Sequence, residues 1–409
     1  MPLIDSMLSY VLLLAVFATP AQQFQARMQE GMAALEQKNL TKAQASFEAA
    51  TRLAPRQPEP WLLLAQTYAL QKNDKPAVAA AQKAEALGGN DPKILQGLAN
   101  FYATMVPDLP KAASLGARYA EKSPSDTTAW RRLTAFCLDS GQPDKAIAAG
   151  KRGLAGDNSA ELHGLLGKAY LQQKDFPHAV AELSAALNLD PYSEDAHFRL
   201  AQAYLVQLDY GHAIAVLQNA RKTFDKSAQI ELALGVAYYG QRKFPEAVDQ
   251  FVRTIRINPD VPQAYVFLDR MLDHAGERLT EITALVAEFE TRNPKSPLGY
   301  LLHAKALMAQ LPPSGYPPEA ETVFALLEKS VAIREDNWDA HYQIGVLLER
   351  KKDYQAAAAQ LERSIALNAN ESAVHFRLAR VYDRLGRQED AAKQREIAEK
   401  LGEKAIGPK

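Results

Sequence analysis

From Phe24 onward, apolar residues return at spacings of three and four over stretches of about a dozen residues, separated by short polar turns. That period predicts amphipathic α-helices, each with a stripe too wide to leave in water. Pro55, Pro124, Pro191, Pro259 and Pro294 each close the second stretch of a pair, because the residue before a proline is pushed out of helical conformation. The helices therefore come in pairs. A pair cannot bury both stripes by itself, so successive pairs must shelter one another along one axis.

Composition removes several alternatives. The 409 residues are 47% hydrophobic and 23% charged, the balance of an ordered chain. Lys and Arg total 47 against 48 for Asp and Glu, a formal net charge of -1, which gives no reason to expect nucleic acid or an acidic membrane surface as partner. The single cysteine, Cys137, excludes an intrachain disulfide framework and a cysteine-rich zinc site. Packing alone must hold the fold.

One phrase recurs with a period of about 34 residues. It reads Leu234, Gly235, Tyr238, Ala247, Phe251 and Pro259 in one copy, and His163, Leu166, Gly167, Tyr170, Ala179, Leu183, Ala186 and Pro191 in another. A third has Trp61, Leu64, Ala65, Tyr68, Ala77 and Ala84. This pattern resembles the tetratricopeptide repeat (TPR), with its Trp, Leu, Gly, Tyr, Ala, Phe and Pro places. The resemblance implies an all-α fold, a right-handed superhelical solenoid of helix-turn-helix units. Starts at Phe24, Pro58, Pro92, Thr127, Ala160, Glu194, Ala228, Pro262, Pro297, Trp338 and Ser372 give about eleven of them, with single-residue slips near Val106 and Gly156. The small place (Gly167, Ala201, Gly235, Gly345) and the later alanine (Ala43, Ala77, Ala146, Ala179, Ala213, Ala247, Ala357, Ala391) are expected to let paired helices approach.

Residues 22–261 read as a regular array and 338–401 as closing repeats with a polar cap. Between them, 262–337 holds two divergent repeats, with Asp269 at a small place and a proline-rich insertion, 311–318, expected to act as a hinge or break. Residues 402–409 read as a flexible tail. At the other end, the apolar run Met7–Ala18 followed by Thr19, Pro20 and Ala21 has the form of a signal-peptide core, although Asp5 precedes it and no Lys or Arg does. Residues 1–21 are thus expected to be a signal peptide, or an uncleaved membrane anchor that falls short of the ~20 residues a span wants. The expected location is exported, periplasmic or secreted, or membrane-anchored.

Candidate chemistry is sparse. His163, His197, His341 and His375 fall at the aromatic place of four repeats, where stacked helices ~8–10 Å apart hold them too far from one another to share a metal. Their expected role is to replace the consensus tryptophan. Cys137 stands at a tyrosine place and reads as a core thiol. The chain contains no nucleophile elbow, phosphate loop or zinc-protease motif, so no enzyme, no cofactor, no metal and no small-molecule substrate are expected.

In proteins that this chain resembles, the first helix of each repeat lines a concave groove. The resemblance places Phe198, Gln202, Leu205, Leu232, Val236, Tyr239, Tyr342, Arg350, Phe376, Arg377, Arg380 and Arg384 there. The apolar members suit an amphipathic helix or extended peptide, and the arginines an acidic segment or carboxylate. A chaperone-type carboxylate clamp is incomplete, since Gln96, Asn100, Arg131, Ala135, Gly164 and Lys168 occupy its places. Residues 196–201 and 374–379 look like repeats of O-linked sugar transferases, but Arg199, Gln343 and Arg377 replace the asparagines and no transferase domain follows. The expected function is a protein-binding scaffold, with a role in cell-envelope assembly or secretion by analogy. The alternatives are an enzyme or enzyme subunit using the histidine-bearing face, and a self-associating structural protein that forms homo-oligomers.

Overall fold

The computed structural model describes residues 19–406, so Met7–Ala18 and residues 407–409 lie outside the described residues. Among the described residues there are α-helices and two 3-10 turns but no strand. The chain divides into two bodies, one ending at Gln207 and one beginning at Leu208. The first contains α1 (Pro20–Glu36), α2 (Leu40–Leu53), α3 (Pro58–Leu70), α4 (Asp74–Gly88), α5 (Pro92–Thr104), α6 (Leu109–Lys122), α7 (Thr127–Asp139), α8 (Pro143–Leu154), α9 (Ala160–Gln172), α10 (Phe176–Leu189) and α11 (Glu194–Val206). The second contains α12 (Tyr210–Arg221), α13 (Ala228–Gly240), α14 (Phe244–Ile257), α15 (Pro262–Met271), α16 (Leu279–Arg292), α17 (Pro297–Met308), α18 (Glu319–Ile333), α19 (Trp338–Lys351), α20 (Tyr354–Leu367), α21 (Ser372–Arg384) and α22 (Gln388–Ile406).

Local chemistry fixes where these helices begin. Asn39, Asp108, Asp126, Ser159, Asp175, Ser193, Ser227 and Asp353 accept a backbone N–H of the turn they precede. Pro58, Pro92, Pro262 and Pro297 open first helices, where a missing N–H costs nothing. Between first and second helix the chain turns through one left-handed residue. Lys38, Lys72, Lys174, Leu208, Arg242 and Lys352 take this conformation, as do Gly141, Gly276 and Gly386. Gly315 takes it within the proline-rich insertion, and the repeat with the slip near Val106 lacks it.

The packing rule read from the sequence holds in atomic detail. All eight later alanines, Ala43 to Ala391, are fully buried. A Cβ on Gly167 would sit 2.5 Å from Leu183 Cγ, and one on Gly235 would sit 2.6 Å from Phe251 Cε1. Only a residue without a side chain lets the second helix bring its large apolar group so close.

Two polar ladders add direction to this apolar core. At the aromatic place, the side chain donates to the backbone carbonyl six residues earlier: Trp130 Nε1 to Pro124 O at 3.0 Å, and Tyr265 Oη to Pro259 O at 3.2 Å. His341 Nε2 meets Glu335 O, and His375 Nε2 meets Ala369 O, both at 3.0 Å. Those histidines thus replace tryptophan as donors, and their Nδ1 atoms reach Gln360 and Gln394 on the second helix at 2.7 and 2.6 Å. His163 uses Glu182 and Asn158, and His197 Nδ1 reaches Ser193 O. The other ladder joins successive repeats: Tyr68 Oη donates to Glu48 at 2.9 Å, Tyr382 Oη donates to Glu362 at 2.7 Å, and Gln218 donates to Tyr238 Oη at 2.8 Å.

Three features differ from the sequence reading or extend it. In the proline-rich insertion, Leu311 and Tyr316 pack on a core shared by α17, α18 and α19. The last helix continues to Ile406, past the tail boundary at 402, as helix-forming residues there allow. Where Asp269 replaces a small residue, α15 stops after ten residues and the chain passes through 3-10 turns at Leu272–His274 and Gly276–Arg278 before α16.

A candidate partner-binding face on the first helices

The twelve groove candidates divide between the bodies. Phe198, Gln202 and Leu205 lie on α11 in the first, where Phe198 and Leu205 are half-buried and Gln202 is exposed. In the second, Leu232, Val236 and Tyr239 on α13 are half-buried against the core of α14, α15 and α16. Tyr239 meets the rings of Phe267 at 5.5 Å and Phe244 at 5.8 Å. These apolar residues are therefore largely spent on packing between helices.

Farther along, α19 and α21 lie side by side through polar contacts. Tyr342 is half-buried beneath the Arg377 guanidinium, 5.7 Å from its ring centroid. Arg377 and Arg380 both reach Glu349, at 2.8 and 3.0 Å. Arg350 does not point toward an incoming ligand, since its guanidinium donates to the carbonyls of Gly315, at 3.0 Å, and Pro312. Those acceptors are neutral, so its charge is undiminished. Arg384 is exposed and forms no ion pair among the described residues, while Phe376, one turn from Arg380, is 54% exposed.

Two ionic sites escape the sequence pattern. On α17, Lys305 Nζ lies 2.6 Å from Asp269 and 3.0 Å from Asp339, joining α15, α17 and α19. Burial raises the Asp269 carboxyl above its usual range, with Lys305 opposing. Burial alone would lower Lys305, but Asp339 and Asp269 outweigh it and hold the amine above its usual value. Glu231, at the aromatic place, is fully buried between Arg253 at 2.9 Å and Arg221 at 3.7 Å. The available signal was a charge at a place reserved for small or aromatic residues, which demands a partner one repeat away. Cys137 is buried, and burial raises its thiol pKa, so it is a core residue.

Helix pairs stacked with a recurring small-to-large contact define a helical-repeat protein. The family model described as Tetratricopeptide repeat matches residues 28–92, 198–262, 314–371 and 342–400, more than half of the chain, and one described as TPR repeat matches residues 167–207. The chain belongs to the tetratricopeptide repeat family. Among curated proteins no match is found. Similar solved structures include the C-terminal part of a TPR repeat-containing protein from Cytophaga hutchinsonii, at 15% identity over 68% of this chain and 98% of that one, TM-score 0.45. Another is YrrB, described as a TPR protein with an unusual peptide-binding site, at 20% identity over 45% and 95%, TM-score 0.39. The Cut9–Hcn1 hetero-tetramer of APC/C is similar at 14% identity over 93% and 88%, TM-score 0.41.

Proposed function

We propose that this chain is a non-catalytic scaffold that holds a segment of a partner protein against the first helices α19 and α21. The observation that carries this reading is the pairing of an exposed aromatic, Phe376, with an excess of guanidinium groups. Arg377 and Arg380 share one carboxylate, Glu349, Arg384 forms no ion pair among the described residues, and Asp383 is taken by Arg395. Such a face favours a segment bearing Asp or Glu together with one apolar side chain to cover Phe376. Buried groups elsewhere on these helices are committed to packing or internal ion pairs, which supports a binding role over a chemical one. The apolar run at Met7–Ala18 supports placement outside the cytoplasm, and a role in envelope assembly or secretion is consistent with that placement.

The test is selection of displayed peptides on the full-length protein. Sequences combining acidic residues with an apolar anchor should be enriched, and their binding should fall at least about tenfold with Phe376→Glu or with Arg380→Glu and Arg384→Glu together. Enrichment unaffected by these substitutions would reject the face.

A further inference from the structure

In the second body, three successive first helices meet through two carboxylates and one ammonium. Lys305 on α17 lies 2.6 Å from Asp269 on α15 and 3.0 Å from Asp339 on α19, and the three side chains are only 16–19% exposed. One negative charge is left over where little water reaches it. Two carboxylates that share a site repel each other, which favours a proton on one of them.

The geometry selects which carboxylate that is. Asp339 accepts the Gln343 amide at 2.9 Å on one oxygen and Lys305 on the other. Asp269 lacks the second donor, and its buried Oδ1 faces the ammonium without an aligned hydrogen bond. Burial raises the Asp269 carboxyl above its usual range, Lys305 opposes this, and the Asp339 charge adds to it.

Other charged groups on the surrounding elements are engaged elsewhere or exposed. Arg270, beside Asp269 on α15, is exposed, as are Asp273 and Glu277 on the 3-10 turns and Glu246 on α14. Also on α14, Asp249, Arg253 and Arg256 pair with Arg278, Glu231 and Glu281. His274 stacks on Phe244, and His303 on α17 pairs with Glu290 on α16.

We infer that Asp269, Lys305 and Asp339 form a proton-operated clamp, which fastens the shortened helix α15 to α17 and α19 more firmly in mild acid than at neutral pH. Proton uptake by Asp269 makes the group neutral and leaves Lys305 matched one to one with Asp339. Because the fold prefers the protonated form, the contribution of Asp269 to stability is complete below the ordinary aspartate range and is lost as pH rises through its raised value.

NMR of the full chain, carbon-13 labelled at its aspartate carboxyls, follows the proton directly, with Asp269→Asn identifying the resonance. Its midpoint should lie above the ~3.9 of an unperturbed aspartate. Asp339→Asn should move that midpoint down, because the repelling charge is gone. In urea, wild type should lose stability relative to Asp269→Asn as pH rises from about 4 to about 7, with His303, common to both proteins, cancelling in the comparison. An ordinary Asp269 midpoint, a midpoint unmoved by Asp339→Asn, or a stability difference between wild type and Asp269→Asn that stays constant with pH would each overturn the clamp.

Discussion

Arg377 reaches back from one repeat to Glu349 of the preceding repeat, 2.8 Å away, across the face on which a partner segment would lie. Glu349 is 11% exposed and also receives Arg380 at 3.0 Å, so one carboxylate restrains two cations. Glu349→Gln should free both. The expected result is affinity for acidic peptides raised several-fold, with stability lowered by about 1–2 kcal/mol, because the ion pairs are only partly desolvated. Peptide titration and urea denaturation of the same variant check the two effects.

Gly235 and Phe251 give the sharpest test of the packing rule. A Cβ at Gly235 already falls 2.6 Å from the ring, so Gly235→Leu must push α14 away from α13. Destabilisation of about 1–3 kcal/mol is expected. Denaturant midpoints should register it, and an unchanged midpoint would mean the helices tolerate a wider separation than the contact implies.

His375 has both ring nitrogens engaged, one with Ala369 O and one with Gln394. His375→Phe keeps the ring but leaves the Ala369 carbonyl and the Gln394 amide without their partner, at a cost of about 1–3 kcal/mol. His375→Trp restores a donor like that of Trp130 and should recover part of the loss. A double-mutant cycle with Gln394→Ala isolates the contact to the second helix.

Tyr382 supplies a pH signature. Burial and its hydrogen bond to Glu362 raise its pKa from 10.0 to about 12. The protonated phenol is the form that the fold prefers, so its contribution is complete below pH 10 and declines as pH rises through about 12. Ultraviolet titration should reveal a tyrosine ionising in that late window, and Tyr382→Phe should remove it.

The fold was legible because its rule is periodic. Each buried later alanine and each glycine facing a large side chain can be located by counting from one repeat to the next. The histidines were legible for the same reason: they stand where tryptophan stands, and His341 and His375 make the same hydrogen bond. What counting could not supply was the fate of charges. Arg350 looked available at a groove place, yet it binds carbonyls of an insertion that belongs to no repeat. Lys305, Asp269 and Asp339 come from three different repeats, and only their spatial meeting explains them. The apolar stretch on α13 was placed correctly on a first helix, but neighbouring rings cover much of it.

The left-handed turn residue has a consequence for how such a chain could grow. Lys38 and Lys72 share a backbone conformation one repeat apart, as do Lys174, Leu208 and Arg242. A duplication or excision of coding sequence between two such points would join like to like, without introducing a new bend. The gene could lengthen or shorten in whole steps, leaving sequence drift to specialise each copy afterward.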